Sequence, residues 1–253
     1  MRLAKLSCQK AQEYFQKSDM VILATGSIEN HGTHNVLGVD TPIPDRLLEL
    51  IEEKADVLIA PTMPYGACDS QAGYPGTISL GTEVLYQVLM KIVESLYAHG
   101  ARKFVFLNGH GGNIPVLDRV GLDMYKKGAL CAQLNWWLMA WDLDPAWKGG
   151  HGGAEETAAM LAVDPSLVDF TQLQEMELIN DLGDELPTAG FKNIRYKGIE
   201  IPVSRPVTSF TQNGWIGPDH PKEATEKWGR EMLQATADYI VDFLGAFQRV
   251  PLA

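Results

Sequence analysis

Short apolar runs alternate with longer amphipathic stretches along this 253-residue chain, and that alternation restricts its fold more than any other feature. Residues 21–25 (VILAT) stop at Gly26, residues 57–60 (VLIA) at Pro61, and residues 104–107 (FVFL) at Asn108-Gly109. Each reads as a buried strand bounded by a breaker. Residues 129–136 are a fourth strand candidate. Between the strands, residues 41–54 read as a helix opened by prolines, with Leu47, Leu48, Leu50 and Ile51 on one stripe. Residues 82–99 carry Leu85, Val88, Leu89, Ile92, Val93 and Leu96 at helical spacing and stop at Gly100. Residues 114–127, 155–161 and 229–247 are further helices. Strand and helix in alternation predict an α/β fold with a largely parallel sheet covered on both faces. Residues 170–221, studded with glycine and proline, read as hairpins and loops of the same domain, so residues 1–253 are expected to form one unit.

Charge and cysteine content narrow the function. There are 21 basic against 32 acidic residues, a formal net charge of −11. That disfavours nucleic acid, whose phosphates need a basic face, and anionic membrane surfaces. Cys8, Cys68 and Cys131 form no C-x-x-C pair, so neither a disulfide framework nor a zinc knuckle is indicated. Free thiols fit a reducing compartment. No apolar run has the length of a membrane span, and the N-terminal residues lack the apolar middle of a signal peptide. A cytoplasmic protein is expected.

Polar residues gather where three of the predicted elements end, the place where open α/β sheets bind ligands. The first cluster runs Gly26-Ser27-Ile28-Glu29-Asn30-His31-Gly32-Thr33-His34, with Asp40 shortly after. Glu29 and His31 are two apart and share a side in extended chain. The second is Asn108-Gly109-His110-Gly111-Gly112-Asn113. The third is His151-Gly152-Gly153-Ala154-Glu155-Glu156-Thr157, a histidine in a glycine bed that opens a helix. Imidazoles and carboxylates without thiolate suit Zn²⁺, Mn²⁺ or Fe²⁺ at a catalytic site. Three carboxylates (Glu29, Asp40 and one of Glu155 or Glu156) balance two divalent ions and one bridging hydroxide, the composition of two-metal hydrolysis. A thiol nucleophile is disfavoured, because neither Cys68 nor Cys131 has a histidine beside it in sequence. Nucleotide binding is weakly supported, since the glycine-rich loops lack G-x-G-x-x-G spacing. Trp136, Trp137, Trp141 and Trp147 lie between the second and third clusters and are candidates for a pocket wall or lid.

Five blocks together resemble the creatininase (creatinine amidohydrolase) family: GSIENHGTHNVLGVD at 26–40, YPGTISL at 74–80, NGHGGN at 108–113, HGGAEETAAML at 151–161 and GWIGPDHPKEATEKWG at 214–229. The resemblance implies a three-layer α/β/α sandwich, a binuclear metal centre, hydrolysis of cyclic amides or related C–N bonds, and homohexamers built as trimers of dimers. It assigns Glu29, His31, Asp40 and His110 as metal ligands, Asp40 bridging, and His151 as the histidine that moves protons. Glu156 is the remaining ligand. Creatininases carry a ligating glutamate two residues after the histidine of the third block, where this chain has Gly112, and an acidic residue where it has Gly150. Both departures bear on the substrate. Trp147 matches a lid tryptophan. His34, Tyr74, Trp136 and Trp147 are the expected substrate contacts. The implied chemistry is attack by metal-activated hydroxide on a carbonyl of a small cyclic compound, with His151 passing the proton to the leaving group. Ring opening of a cyclic polyhydroxy ketone of the 3-dehydro-scyllo-inosose type, trimming of a small peptide in cofactor maturation, and metal binding without catalysis are the alternatives.

Overall fold

The fold is that of a computed structural model, which describes residues 1–252. In chain order its elements are α1 (Cys8–Phe15), β1 (Met20–Thr25), α2 (Pro42–Glu52), β2 (Leu58–Ile59), α3 (Gly81–Ala98), β3 (Lys103–Asn108), α4 (Ile114–Tyr125), β4 (Leu130–Asn135), α5 (Trp136–Leu143), α6 (Ala154–Val163), β5 (Thr188–Ala189), β6 (Asn193–Tyr196), β7 (Ile199–Pro202) and α7 (Glu226–Gln248). The first four strands make one parallel sheet in the order β2-β1-β3-β4. The last three form a small antiparallel sheet.

Successive side chains of a strand point to opposite faces, and β1 and β3 are buried on both. Ile22, Ala24, Val105 and Leu107 pack on one side with Leu47 and Leu48 of α2 and Leu233 and Ile240 of α7. Val21, Leu23, Phe104 and Phe106 pack on the other with Leu85 and Leu89 of α3 and Leu117 and Val120 of α4. The result is the three-layer α/β/α sandwich. Each of the larger buried side chains contributes about 1.5–3 kcal/mol relative to exposure, so continuous apolar strands are needed at the centre. No helix among the described residues is long and apolar enough to cross a membrane.

Two local differences from the sequence expectation have physical causes. Helix α1, for which the sequence reading gives no element, lays Ala11, Tyr14 and Phe15 along one side; Tyr14 is buried, donating to the Met20 carbonyl at 2.6 Å and accepting from Leu58 N–H at 3.0 Å, and Phe15 packs beside it. Strand β4 stops at Asn135, and Trp136 is already the first residue of α5.

The strand register aligns Thr25, Asn108 and Asn135 at one edge of the sheet. The Asn108 amide ties this row together: it accepts from Thr25 Oγ1 at 3.0 Å and donates to Asn135 Oδ1 at 2.8 Å. It also donates to the His110 carbonyl at 2.8 Å and accepts from His110 N–H at 3.2 Å, fixing the loop that follows. The crevice beyond this row is where the three polar clusters meet.

Candidate metal centre

Loop closeness brings Glu29, His31, Asp40, His110, His151 and Glu156 to one buried place. Gly26 and Gly109 press against the backbone of Asp40, so closely that a Cβ on either would overlap its carbonyl. Ser27 Oγ donates to Asp40 Oδ2 at 2.7 Å and holds that carboxylate inward. Gly152, with φ +65°, lies against the His31 carbonyl and Trp215, where a Cβ would come within 2.8 Å and 2.7 Å of them; only glycine suits that torsion and that space. Asp219 accepts from Glu155 N–H at 2.8 Å at the start of α6, which seats the third cluster.

Each imidazole has one nitrogen on a backbone carbonyl and the other turned to a carboxylate. His31 Nδ1 is 3.1 Å from the Glu29 carbonyl, and its Nε2 is 3.0 Å from Asp40 and 3.8 Å from Glu156. His110 Nε2 is 3.1 Å from the Ala67 carbonyl, and its Nδ1 is 3.2 Å from Glu29 and 3.1 Å from Asp40. His151 Nε2 is 2.7 Å from the Asn30 carbonyl, and its Nδ1 is 3.8 Å from Glu29. A carbonyl only accepts, so the outward nitrogen keeps its proton, and an inward nitrogen that gives up its proton to an arriving cation would present its lone pair as a ligand. Gln71 completes the outer side of His151, with its amide at 2.8 Å from Nε2. Its Oε1 is buried without a partner. Exchanging the two amide positions lets Oε1 accept from Nε2–H.

In the metal-free chain the imidazoles and carboxylates charge one another. Burial pushes the Glu29 carboxyl up, but the adjacent His110 outweighs it and holds the group below the usual range. Asp40 is likewise held low, with His31 and His110 overriding its burial. Burial works against charge on His31, yet Asp40 and Glu156 raise it to about 10. His110 is raised well above its ordinary value by Glu29 and Asp40, again against burial. His151 differs: burial, then the neighbouring His31, bring it down to about 4, so it is neutral at pH 7. Glu156 is pushed up to about 7, chiefly by burial and then by Asp40, against the pull of His31. Glu29 Oε2 is buried with no hydrogen-bond partner, an expensive state for a carboxylate oxygen unless something binds it. Three sets of donors lie close enough to share an ion: His31, Asp40 and Glu156; Glu29, His31 and His151; and Glu29, Cys68 and His110. Buried oxygen and nitrogen donors with an orphaned carboxylate oxygen fit divalent metal.

Glu155 and Glu156 separate. Glu156 Oε2 faces His31 and also accepts from Gly152 N–H at 2.6 Å. Glu155 turns away to accept from Trp141 Nε1 at 2.7 Å, and burial raises its pKa well above the ordinary value.

A cavity of about 350 Å³ opens over the cluster, with Trp137, Trp141, Phe191 and Lys192 in its wall. The residues expected to touch substrate do not line this cavity. In α5, Trp136 and Ala140 are four apart and both are buried in the core, whereas Trp137 and Trp141, also four apart, face the cavity. Trp147 packs against the same core. Tyr74 is buried and donates to the Thr211 carbonyl at 2.7 Å. His34 bonds Thr157 Oγ1 at 3.0 Å, one layer behind the site. Phe191, 4.9 Å from the His151 ring, was missed because residues 170–221 show no periodicity to place them. Of the four tryptophans offered by the sequence as a wall or lid, the two at helical spacing, Trp137 and Trp141, line this cavity.

The Creatininase family model, described as creatinine amidohydrolase, matches residues 4–244. The mycofactocin precursor peptide peptidase of Mycobacterium tuberculosis is 33% identical over 245 residues, covering 87% of this chain and 82% of its own. The creatinine amidohydrolase of Pseudomonas putida is 30% identical over 177 residues, 61% of this chain and 68% of its own. The 3-dehydro-scyllo-inosose hydrolase of Thermotoga maritima is 27% identical over 174 residues, 64% and 56% respectively. A crystal structure of creatininase superposes with a TM-score of 0.76 at 22% identity, over 99% of this chain and 98% of that one. A manganese form of creatininase gives 0.76 at 22% identity, over 98% and 99%.

Proposed function

Because this chain belongs to the creatininase family of hydrolases, we propose that it is a binuclear metal-dependent amidohydrolase acting on a C–N bond of a small cyclic amide. The observation that carries this reading is the imidazole arrangement: His31 and His110 each lean one nitrogen on a carbonyl and aim the other at buried carboxylates. Glu29 and His110 would hold one ion, His31 and Glu156 the other, and Asp40 would reach both through its two oxygens. Zinc, manganese or iron suits such donors. When bound, the pair supplies a water acidified towards neutrality and a Lewis acid for a carbonyl oxygen.

The chain's own residues do the rest. His151, neutral at pH 7 and at the cavity wall, takes a proton on Nδ1 and returns it to the leaving nitrogen. Its Nε2–H stays on the Asn30 carbonyl throughout, which fixes the ring's tautomer and direction. The Trp137 and Trp141 rings and Phe191 offer an apolar wall to the substrate. Assembly of copies, as trimers of dimers in the cytoplasm, is part of the proposal. It is supported by the free edge of β4 and by Leu122 and Tyr125, exposed on α4 beside it.

A second reading, cleavage of a short peptide, is favoured by the wider coverage of the mycofactocin peptidase and by an open-sided cavity large enough for more than one ring. The protein loaded with zinc or manganese, assayed on lactams and imides, short peptides and a diketo-inositol, tests both. Turnover of the cyclic amides supports the main reading, and turnover of peptides alone moves the assignment to the second. Activity only on the inositol, or none in a chain with two bound ions, overturns both.

A further inference from the structure

The one thiol near the centre has no place in that mechanism. Cys68 is buried, at 1% exposure, in the loop between β2 and α3. Its backbone is clamped on both sides: Cys68 N–H donates to Ser79 Oγ at 2.9 Å, and its carbonyl accepts from Gln71 N–H at 2.8 Å. Ala67, just before it, accepts from His110 through its carbonyl and donates its N–H to Asn113 Oδ1 at 3.0 Å. The loop that carries Cys68 is therefore fixed to the loop that carries His110.

The Cys68 sulfur and donor atoms of Glu29 and His110 lie within 4.8 Å of one another. Independently, Glu29 Oε2 is fully buried and has no partner. We propose that Cys68 Sγ is a direct donor to the ion held by Glu29 and His110, an inference that rests on the metal-centre reading above. Coordination as thiolate breaks the S–H bond and releases one proton to solvent. The two ion positions then differ in kind. The position of His31, Asp40 and Glu156 offers only nitrogen and oxygen, whereas the position of Glu29 and His110 adds a soft sulfur. Sulfur selects zinc over manganese, so the first position accepts either ion and the second prefers zinc.

Cobalt(II) is the probe, because a thiolate ligand gives it a near-ultraviolet sulfur-to-metal charge-transfer band. The full chain, Cys68→Ser, and Cys8→Ser are loaded with cobalt, and bound cobalt is counted in each. Cys8 is exposed and serves as the control for adventitious binding. The expected result is a band in the parent and in Cys8→Ser that is lost in Cys68→Ser. X-ray absorption at the zinc edge of the Cys8→Ser chain needs no change at Cys68 and should show sulfur at about 2.3 Å, about half an atom per zinc when both positions hold zinc. Bound cobalt without the band, or zinc with only nitrogen and oxygen neighbours, overturns the inference and leaves the metal centre standing. A folded chain that binds no cobalt overturns both.

Discussion

Glu156→Gln should halve the metal content and, with it, the thermal protection that metal gives. The change keeps shape and the bond from Gly152 N–H but removes the charge that faces His31 Nε2 at 3.8 Å. An ion bound only by the folded chain, at free concentration a hundred times its dissociation constant, stabilises by about 2.7 kcal/mol. Each kcal/mol moves the melting temperature of a domain this size by about 2–4 °C. Two ions therefore raise it by roughly 11–22 °C and one by roughly 5–11 °C. The metal-free comparison has the opposite sign. Burial raises the Glu156 pKa from 4.5 to about 7, so the folded chain binds an extra proton in that window and loses stability as pH rises through it. At pH 8 the metal-free variant should then melt no lower than the metal-free parent. Glu155→Gln, which faces Trp141 instead, should keep two ions and the full shift. Differential scanning fluorimetry with and without chelator, alongside elemental analysis, reads all of this. Two ions and an undiminished shift in Glu156→Gln, or loss of an ion in Glu155→Gln, would refute the assignment.

His110→Ala should lose bound metal, whereas His151→Ala should keep it and lose about 10²–10⁴ in rate; equal metal loss in both, by elemental analysis, would show the roles are misassigned. Gly152→Ala must adopt φ +65° against Trp215 and the His31 carbonyl, and should cost about 1–3 kcal/mol in a urea titration; an unchanged midpoint would mean the turn can move aside. Burial holds His34 at about 4 against an ordinary 6.5, with His31 adding to the effect. The unfolded chain thus binds more protons between those values, and the His34 contribution is complete above about 6.5 and lost as pH falls to about 4. In the metal-free protein, His34→Gln should flatten that part of the stability curve; a parallel curve would place the titration elsewhere.

How much of this could be read from the sequence depends on the range of the interaction. Residues 26–40, 108–113 and 151–157 stand out because polar, glycine-flanked histidines after buried elements have few structural uses. The strands were legible because the middles of β1 and β3 are unbroken apolar runs, and the helices because of their periodicity. Choosing between Glu155 and Glu156 was not possible from adjacency alone: it depends on the direction in which the first turn of α6 points each side chain. Cys68 looked idle because its neighbours Glu29 and His110 are far away in sequence. Asp219 escaped for the same reason, since it caps a helix that begins 65 residues earlier, at Ala154. Which of the tryptophans face the cavity depends on where α5 starts: with Trp136 as its first residue, Trp137 and Trp141 turn to the cavity.

Gly112 gives a reason for the proposed centre to take its third carboxylate from α6. The resemblance expects a glutamate two residues after His110, yet a Cβ at Gly112 would run into the Ala67 carbonyl and the His110 ring itself. Those two groups are bonded to each other, so opening space for a side chain would break the contact that orients His110. The loop leaves no room for a side chain there, and Glu156 faces His31 from the first turn of α6, its Oε2 held by Gly152 N–H. That position in turn depends on the left-handed turn at Gly152 and on Asp219 at the head of α6, so residues 214–220 would support the proposed metal centre from behind. It follows that Gly112→Glu cannot restore what Glu156→Gln removes. The double variant should bind no more metal than Glu156→Gln alone, and recovery of the second ion would show that the 108–113 loop has room the geometry denies it.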